Sequence, residues 1–296
     1  MAAKTTIGFI GLGVMGEPMC RHLLQKSGAH IVVCDINTEP VARLVALGAT
    51  NGGSVAEVAK AADLVFLSLP SGAHLQKLCE GPSGLLESVA AGKLVVDLST
   101  SPLKLTRTLA AAFNAKGVDY ADAPVARTRA AAEAGTLAIT VGATPQVFAR
   151  IEPLLRHFAE EVTHCGEVGS GQVVKILNNM VIVGTVTALC EAAAIAGTAG
   201  IKTQALFEAL SKGSADSFAL RNHGLKAVAA RQFPERAFSA EYMLKDVSYA
   251  LEMAQDGNID AQEAALGAKL LQRAIDKGFG AEYWPTIIKV IEDSAK

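Results

Sequence analysis

The sequence lacks a charge excess, which argues against the partners that a strongly charged protein would bind. Lys and Arg total 27 against 29 Asp and Glu in 296 residues, and the formal net charge is −2. The basic residues are spread along the chain and form no stripe that could follow a nucleic-acid backbone or an anionic membrane. We therefore expect neither nucleic acid nor a membrane as a partner.

Paired cysteines and uninterrupted apolar runs are also missing. The five cysteines are odd in number, lie far apart and show no Cys-x-x-Cys spacing, so neither disulfides nor a metal site is indicated. No apolar run reaches the 18 residues free of polar interruption that a membrane span needs, and the longest is cut by Glu191. A signal-like stretch near the start is broken by Glu17 and Pro18. These features favour a cytoplasmic protein without a metal.

The first half of the chain alternates short β-branched runs with helical segments, which is typical of a parallel sheet with crossover helices. We predict strands at residues 6–10, 30–35, 64–68, 94–97, 118–125 and 137–141, and helices at 17–27, 40–47, 54–60, 103–115 and 145–158. After about residue 162 the strand pattern stops. A helix-compatible apolar segment of nearly 30 residues follows, and we expect two domains or a second subunit to bury it.

This pattern predicts an α/β protein of two domains. Residues 1–165 are expected to form a Rossmann domain with a doubly wound, mostly parallel sheet. Residues 166–296 are expected to form an all-helical substrate and oligomerisation domain that begins with the long interdomain helix.

Three glycines stand between the first predicted strand and the first predicted helix. Gly11, Gly13 and Gly16 have the G-x-G-x-x-G spacing that brings a pyrophosphate to a helix N-terminus, and Asp35 ends the second strand 19 residues later. Asp35 would bind the adenosine ribose hydroxyls and repel a 2′-phosphate, which favours NAD over NADP. The alternative is a tight turn followed by an ordinary aspartate at a helix start.

Two further loops follow predicted strands, where open α/β sheets bind ligands. The first contains Leu69 and Pro70, and the second contains Ser99 and Thr100. Ordinary strand-to-helix turn chemistry explains these loops equally well.

Polar side chains also occur on the long apolar helix. Lys175, Asn178 and Asn179 stand at i, i+3 and i+4 and therefore share one face. A desolvated lysine would have a pKa lowered toward neutrality, which suits proton exchange with an alcohol, and the amides could hold substrate hydroxyls. The alternative is a snorkelling lysine beside asparagines that bind neighbouring backbone.

Five motifs appear in order over nearly the whole chain: GFIGLGVMGEPM, DLST, DAPV followed by AGTL, GEVGSGQVVKILNN and LKDVSYAL. Together they resemble the β-hydroxyacid dehydrogenases, the family of 3-hydroxyisobutyrate dehydrogenase, tartronate semialdehyde reductase and short relatives of 6-phosphogluconate dehydrogenase. The resemblance implies an NAD-dependent oxidoreductase and a homodimer or homotetramer.

The resemblance also implies residue roles. Lys175 would be the catalytic acid/base, Asn178 and Asn179 substrate ligands, and Lys245 a residue that reaches toward the cofactor. The remaining implied cofactor contacts are Val14, Met15, Asp35, Leu69 and Thr100.

One stretch departs from the family. Most members read DAPVSGG, whereas here Ala126, Arg127 and Thr128 replace Ser-Gly-Gly. A similar Pro-Val-small-Arg-Thr sequence occurs in the sulfolactaldehyde reductases that the chain resembles. Arg127 and Thr128 would then bind a sulfonate, with Arg129 a solvated neighbour; alternatively both arginines lie in a surface loop.

The function indicated is interconversion of a short anionic hydroxy acid or hydroxysulfonate with its aldehyde, and sulfolactaldehyde reduction is the best specific interpretation. The alternatives are dehydrogenation of 3-hydroxyisobutyrate, tartronate semialdehyde reduction, and interconversion of succinate semialdehyde with 4-hydroxybutyrate. A non-catalytic binding module on the same fold stays open, and an imine reductase is disfavoured because that branch lacks the lysine.

Overall fold

The computed structural model describes residues 5–235 and 237–293. Its contacts divide the chain into two compact units, Met1–Lys175 and Ile176–Lys296. The division falls inside one long helix.

The described part of the first unit contains one nine-stranded sheet. Its strands are β1 (Thr6–Ile10), β2 (His30–Cys34), β3 (Thr50–Asn51), β4 (Leu64–Leu67), β5 (Leu94–Asp97), β6 (Asp119–Asp122), β7 (Val125–Ala126), β8 (Leu137–Gly142) and β9 (Ala159–Gly166).

The strand order is β3-β2-β1-β4-β5-β6-β8-β7, with β9 paired to β8. All pairs from β3 to β6 are parallel, and β8 runs antiparallel to β6 and β7. From β1, the chain adds β2 and β3 on one side of the sheet and β4, β5 and β6 on the other. The strand order therefore reverses between β1 and β4, and the carboxyl ends of these two strands form the switch point at which doubly wound folds bind ligands.

Helices cover both faces of this sheet. They are α1 (Gly16–Lys26), α2 (Thr38–Ala46), α3 (Val55–Ala61), α4 (Gly72–Glu80), α5 (Leu85–Ser88), α6 (Leu103–Asn114), α7 (Arg129–Ala134) and α8 (Pro145–Leu155). In β4, Phe66 packs into one apolar cluster and Val65 and Leu67 into another, because successive side chains point to opposite faces. Burial on both sides explains why the central strands are continuously apolar.

The long helix α9 (Ser170–Thr198) leads into the second unit. That unit continues with α10 (Thr203–Leu210), a π-helical segment (Leu220–Ala229), α11 (Ala240–Asp256), α12 (Gln262–Ala274), a second π-type segment (Ile275–Phe279), a 3₁₀ turn (Trp284–Thr286) and α13 (Ile287–Glu292). Its core includes Val186, Phe207, Leu271 and Trp284.

By length and composition alone, α9 could cross a membrane. Its most apolar 18-residue window has a mean hydropathy of 1.8, and 39% of that window is buried within the structure. The core helices of soluble proteins meet the same two conditions. The expectation of no membrane partner stays a prediction.

The predicted fold class is confirmed, and so is each predicted strand and helix in the first unit to within a few residues, with one exception. The strand predicted at 118–125 is two strands, β6 and β7, separated by Ala123 and Pro124. Proline lacks the N–H that a ladder needs.

The sequence patterns also missed several elements. The strand β9 was not predicted, and strands end at Gly166, four residues beyond the expected residue 162. This strand carries exposed polar residues such as Glu160 and Thr163, so it shows no apolar run. The short strand β3 and the helices α4, α5 and α7 were not predicted either.

Candidate functional site

The glycine loop lies between β1 and α1, as its spacing predicts. Gly11 has φ +93°, and a Cβ there would lie 2.2 Å from the Ser68 carbonyl oxygen; a Cβ at Gly16 would lie 2.1 Å from the Gly11 carbonyl oxygen. These two glycines are therefore required by packing. A Cβ at Gly13 would meet no heavy atom within 4 Å, so its backbone faces open space where a ligand can approach.

The residues that follow complete the loop. Val14 is 53% exposed, Met15 is half-buried, and Met15 precedes α1 without a side-chain cap. A glycine-rich turn that leads into a helix N-terminus offers main-chain N–H groups and a positive dipole end to a phosphate. The local geometry therefore fits a dinucleotide pyrophosphate.

Asp35 lies directly beside this loop. One of its oxygens accepts a hydrogen bond from the Leu12 amide, and the other accepts one from the Asn37 amide at 2.7 Å. The half-buried carboxylate is thus fixed at the end of β2, next to the glycine turn. Arg43, on the following helix α2, forms ion pairs with Glu17 and Glu39.

The loops after β4 and β5 lie at the same edge of the sheet. The Leu69 amide donates to Ser99 Oγ at 2.9 Å, which ties the two loops together. Pro70 is exposed and Thr100 is half-buried. The structure therefore brings together all the nucleotide residues predicted in the first unit, from Gly11 to Thr100, at the carboxyl ends of β1, β2, β4 and β5.

Two buried aspartates in the first unit were not among the predicted site residues. Burial raises the pKa of Asp97 to about 7, against hydrogen bonds from Ser99 and Ser101 that lower it. Burial also raises the pKa of Asp122 to about 6, against main-chain hydrogen bonds that include those of Gly169 and Gln172. The sequence signals for both were their positions at the ends of β5 and β6 and their place as the first residues of the DLST and DAPV motifs.

Asp122 binds the start of α9. Its two oxygens accept hydrogen bonds from the Gly169 amide at 2.6 Å and the Gln172 amide at 2.8 Å. The fully buried Gln172 side chain in turn accepts from the Ser101 amide at 3.1 Å and donates to the Ser99 carbonyl at 2.8 Å. The first turn of α9 is therefore bound to the loops after β5 and β6.

Lys175 follows one turn later on α9 and is half-buried. Asn178 and Asn179 lie three and four residues further along, as the helical spacing predicts. Asn178 is exposed, whereas Asn179 is buried.

A chain of polar contacts joins the predicted residues of the second unit. Asn178 Nδ2 donates to Asn179 Oδ1 at 3.1 Å, and Asn179 Nδ2 donates to Asp246 Oδ2 at 2.6 Å. Asp246 Oδ1 lies 3.0 Å from Lys245 Nζ, which also lies over the rings of Tyr242 and Tyr249. Asp246 is 1% exposed and connects Asn179 to Lys245. Sequence reasoning missed it, although it directly follows Lys245.

The arginine loop has an unusual backbone. Arg127 has φ +81°, a region that side chains other than glycine rarely adopt. Its Nη1 donates to Glu160 Oε2 and to the Thr136 carbonyl, both at 2.6 Å. Thr128 Oγ1 accepts from the Ala131 amide at 3.3 Å and so caps α7. In this structure a protein carboxylate binds the predicted anion anchor, and the substrate role of Arg127 and Thr128 stays a prediction.

Arg129 lies on the first turn of α7. Its side chain is 59% exposed and 4.0 Å from Glu133. It has the geometry of a solvated neighbour of Arg127.

Two family models match the chain. Residues 6–166 match the NAD binding domain of 6-phosphogluconate dehydrogenase. Residues 169–291 match a model described as NAD-binding of NADP-dependent 3-hydroxyisobutyrate dehydrogenase.

Curated relatives align over almost the full length. The 2-(hydroxymethyl)glutarate dehydrogenase of Eubacterium barkeri is 35% identical over 292 residues, which cover 99% of this chain and 96% of the relative. The 3-sulfolactaldehyde reductase of Escherichia coli is 31% identical over 289 residues, which cover 98% of this chain and 96% of the relative.

Solved structures share the fold. A Mycobacterium tuberculosis 3-hydroxyisobutyrate dehydrogenase with L-serine superposes with a TM-score of 0.88 at 27% identity, covering 97% of this chain and 99% of that one.

Proposed function

The chain belongs to the β-hydroxyacid dehydrogenase family of nicotinamide-dependent oxidoreductases, and we propose that it interconverts a short anionic aldehyde and its alcohol with NAD. Lys175 is the proton donor and acceptor in this proposal. The arrangement of Lys175, Asn178 and Asn179 on one face of α9 is the observation that carries it.

The first unit supplies the nucleotide contacts in this proposal. The backbone at Gly13, Val14 and Met15 would bind the pyrophosphate, and Asp35 the adenosine ribose. A carboxylate held beside the glycine loop repels the 2′-phosphate of NADP, so we propose that NAD is preferred. We expect kcat/KM with NADH to exceed that with NADPH by at least about tenfold, or about 1.4 kcal/mol. Equal or higher values with NADPH would contradict the preference.

The chemistry assigned to this chain is proton transfer. Bound NADH supplies the hydride that reduces the aldehyde carbon. The Lys175 ammonium then donates a proton to the developing alkoxide oxygen, and in the oxidative direction the neutral amine accepts the hydroxyl proton. The reaction balances as aldehyde, NADH and one proton giving alcohol and NAD⁺.

Asn179 orients the substrate in this proposal. Its amide is held by Asp246, so the side chain does not need to lose rotational freedom when substrate binds. Lys245, held by the same carboxylate, provides a positive charge on the same unit.

We propose that the anion is a sulfonate bound by Arg127 and Thr128. Guanidinium groups bind oxyanions through a planar fork of donors, and Arg127 Nη1 donates to the Glu160 carboxylate in this structure. Substrate would bind the remaining donors or displace the Glu160 carboxylate. The 31% identity to a 3-sulfolactaldehyde reductase over 98% of this chain supports this assignment.

A carboxylate is the second candidate. The relative described as 2-(hydroxymethyl)glutarate dehydrogenase has a higher identity, 35% over 99% of this chain. In that case Arg127 would be a general anion anchor.

Initial rates separate these candidates. NADH oxidation is measured with 3-sulfolactaldehyde, tartronate semialdehyde, methylmalonate semialdehyde and succinate semialdehyde, and NAD⁺ reduction with 2-(hydroxymethyl)glutarate. We expect the highest kcat/KM with 3-sulfolactaldehyde. A carboxylate with the highest value would favour the second candidate, and no turnover with any compound would contradict the enzymatic proposal.

Arg127→Gly tests the anchor without straining the loop. Glycine suits φ +81°, so we expect an unchanged melting temperature. The KM for the anionic aldehyde should rise at least about tenfold, as loss of a charge-assisted hydrogen bond implies. The matched control is Arg129→Ala, which should leave KM unchanged. An unchanged KM in Arg127→Gly would assign Arg127 to the surface.

A further inference from the structure

The beginning of α9 is bound unusually tightly within the first unit. Buried carboxylates usually cost free energy unless several donors satisfy them. Asp122 accepts main-chain hydrogen bonds from both Gly169 and Gln172, which stand on either side of the first residue of α9. It therefore caps this helix from a strand that lies about 50 residues earlier.

Two glycines create the space for this carboxylate. A Cβ at Gly142 would lie 2.4 Å from Asp122 Oδ1, and a Cβ at Gly171 would lie 2.8 Å from Asp122 Oδ2 and 2.5 Å from the Thr140 carbonyl oxygen. The helix backbone therefore approaches the sheet more closely than any residue with a side chain would allow.

Gln172 binds the same helical turn to a second loop. Its amide uses both ends, as acceptor for the Ser101 amide and as donor to the Ser99 carbonyl. This loop contains Thr100, one of the proposed cofactor residues. Gln172 thus connects a cofactor loop directly to the helix that carries the proposed proton donor.

We infer that Asp122 and Gln172 are positioning residues that fix Lys175 relative to the nucleotide loops. Lys175 lies one helical turn beyond Gln172, so a shift or rotation of the first turn moves its amine directly. This inference rests on the proposed role of Lys175. Neither residue needs to touch substrate.

The test uses Gln172→Met and Asp122→Asn. Methionine keeps the approximate volume of glutamine but makes neither hydrogen bond. Asparagine presents an NH₂ group to one of the two main-chain N–H groups. Both groups are donors, so that hydrogen bond is lost. Because Gln172 also holds the loop that contains Thr100, we expect a small rise in the Kd for NADH, much smaller than the fall in kcat. We expect kcat to fall roughly tenfold to hundredfold, because a misplacement of about 1 Å can cost about 100-fold.

The decisive measurement is the solvent deuterium isotope effect on kcat. If the lysine is misplaced, proton transfer becomes slower and the isotope effect rises above that of the wild type. Leu44→Ala is the control, since Leu44 is fully buried in α2 and its truncation lowers stability without touching this network. The control should keep the wild-type isotope effect.

Folded Gln172→Met with wild-type kcat and isotope effect would overturn the inference. If Asp122→Asn does not fold, Gln172→Met still decides. If neither variant folds, amide exchange in the wild type decides: slow exchange at Gly169 and Gln172 supports the capping contacts, and rapid exchange overturns them.

Lys175→Ala separates the two proposals, because wild-type turnover in that variant removes the role of Lys175 itself. If Lys175→Ala loses turnover while folded Gln172→Met keeps the wild-type kcat and isotope effect, the role of Lys175 stands and only the positioning inference is overturned.

Discussion

The two units hold their candidate site residues in different ways. In the first unit, the residues assigned to the nucleotide lie at the ends of adjacent strands, and the backbone sets their positions through glycine turns and strand register. In the second unit, Asn179 and Lys245 lie on different helices and are joined by the side chain of Asp246. A site whose positions are set by the backbone tolerates little increase in side-chain size at its glycines. A site formed by side-chain hydrogen bonds can change its substrate specificity through a single substitution. We expect cofactor binding and substrate choice to respond to different mutations.

The largest fall in kcat is expected for substitution of Lys175, the residue proposed to transfer the proton. Lys175→Ala should lower kcat by about 10²- to 10⁴-fold, the range for a positioned acid or base. NADH binding should be retained, because the glycine loop and Asp35, which are proposed to bind the nucleotide, do not include Lys175. Steady-state kinetics and NADH fluorescence titration measure both. Lys226→Ala is the control, since Lys226 is an exposed lysine that binds Asn222. Near-normal turnover in Lys175→Ala would remove this residue from the mechanism.

Much of the first unit could be predicted from the sequence. Its central strands are buried on both faces and therefore read as continuous apolar runs, and Gly11, Gly13, Gly16 and Asp35 have a spacing tied to a known backbone geometry. The edge strand β9 could not be found in this way, because its exposed residues come in consecutive pairs, so it shows neither an apolar run nor the alternation of a half-buried strand.

The side-chain contacts were less predictable. Asp122 and Asp246 are single aspartates whose partners lie 47 and 67 residues away in the chain. Periodicity describes one helix or strand at a time and contains no information about such contacts. The pairing of Arg127 with Glu160 was hidden for the same reason, since Glu160 lies on the strand that was missed.

A substitution at Gly13 should weaken cofactor binding without damaging the fold. A Cβ at this position has no heavy atom within 4 Å, so Gly13→Ala should keep the wild-type melting temperature. It should raise the Kd for NADH roughly tenfold, because the methyl group would occupy the space of the pyrophosphate. Gly197→Ala is a matched control, since a Cβ there also meets no atom within 4 Å. Equal NADH affinity in both variants would contradict a backbone-built nucleotide site.

The smallest expected effect is on how the stability of the protein depends on pH. Burial raises the pKa of Asp97 from an ordinary 3.8 to about 7, so the native protein holds a proton that the unfolded chain releases. The contribution of this group to stability is fully present below pH 4 and is lost as the pH rises toward 7. Asp122 acts in the same direction up to about pH 6.

Asp97→Asn removes the first of these titrations. Its melting temperature should therefore fall less between pH 5 and pH 8 than that of the wild type, by a few °C, since about 1 kcal/mol shifts the melting temperature of a domain of this size by about 2–4 °C. Calorimetry at both pH values measures the difference. A steeper fall in the variant would contradict the raised pKa.

The different roles of the two units can be tested directly with two variants, Gly13→Ala and Asn179→Ala. In each variant, the Kd for NADH and the KM for the best anionic aldehyde are measured. The account predicts that Gly13→Ala raises only the Kd for NADH and that Asn179→Ala raises only the aldehyde KM. If both variants shift both constants to the same extent, or if Asn179→Ala weakens NADH binding alone, the assignment of the cofactor to the Gly13 loop and of substrate orientation to Asn179 is contradicted.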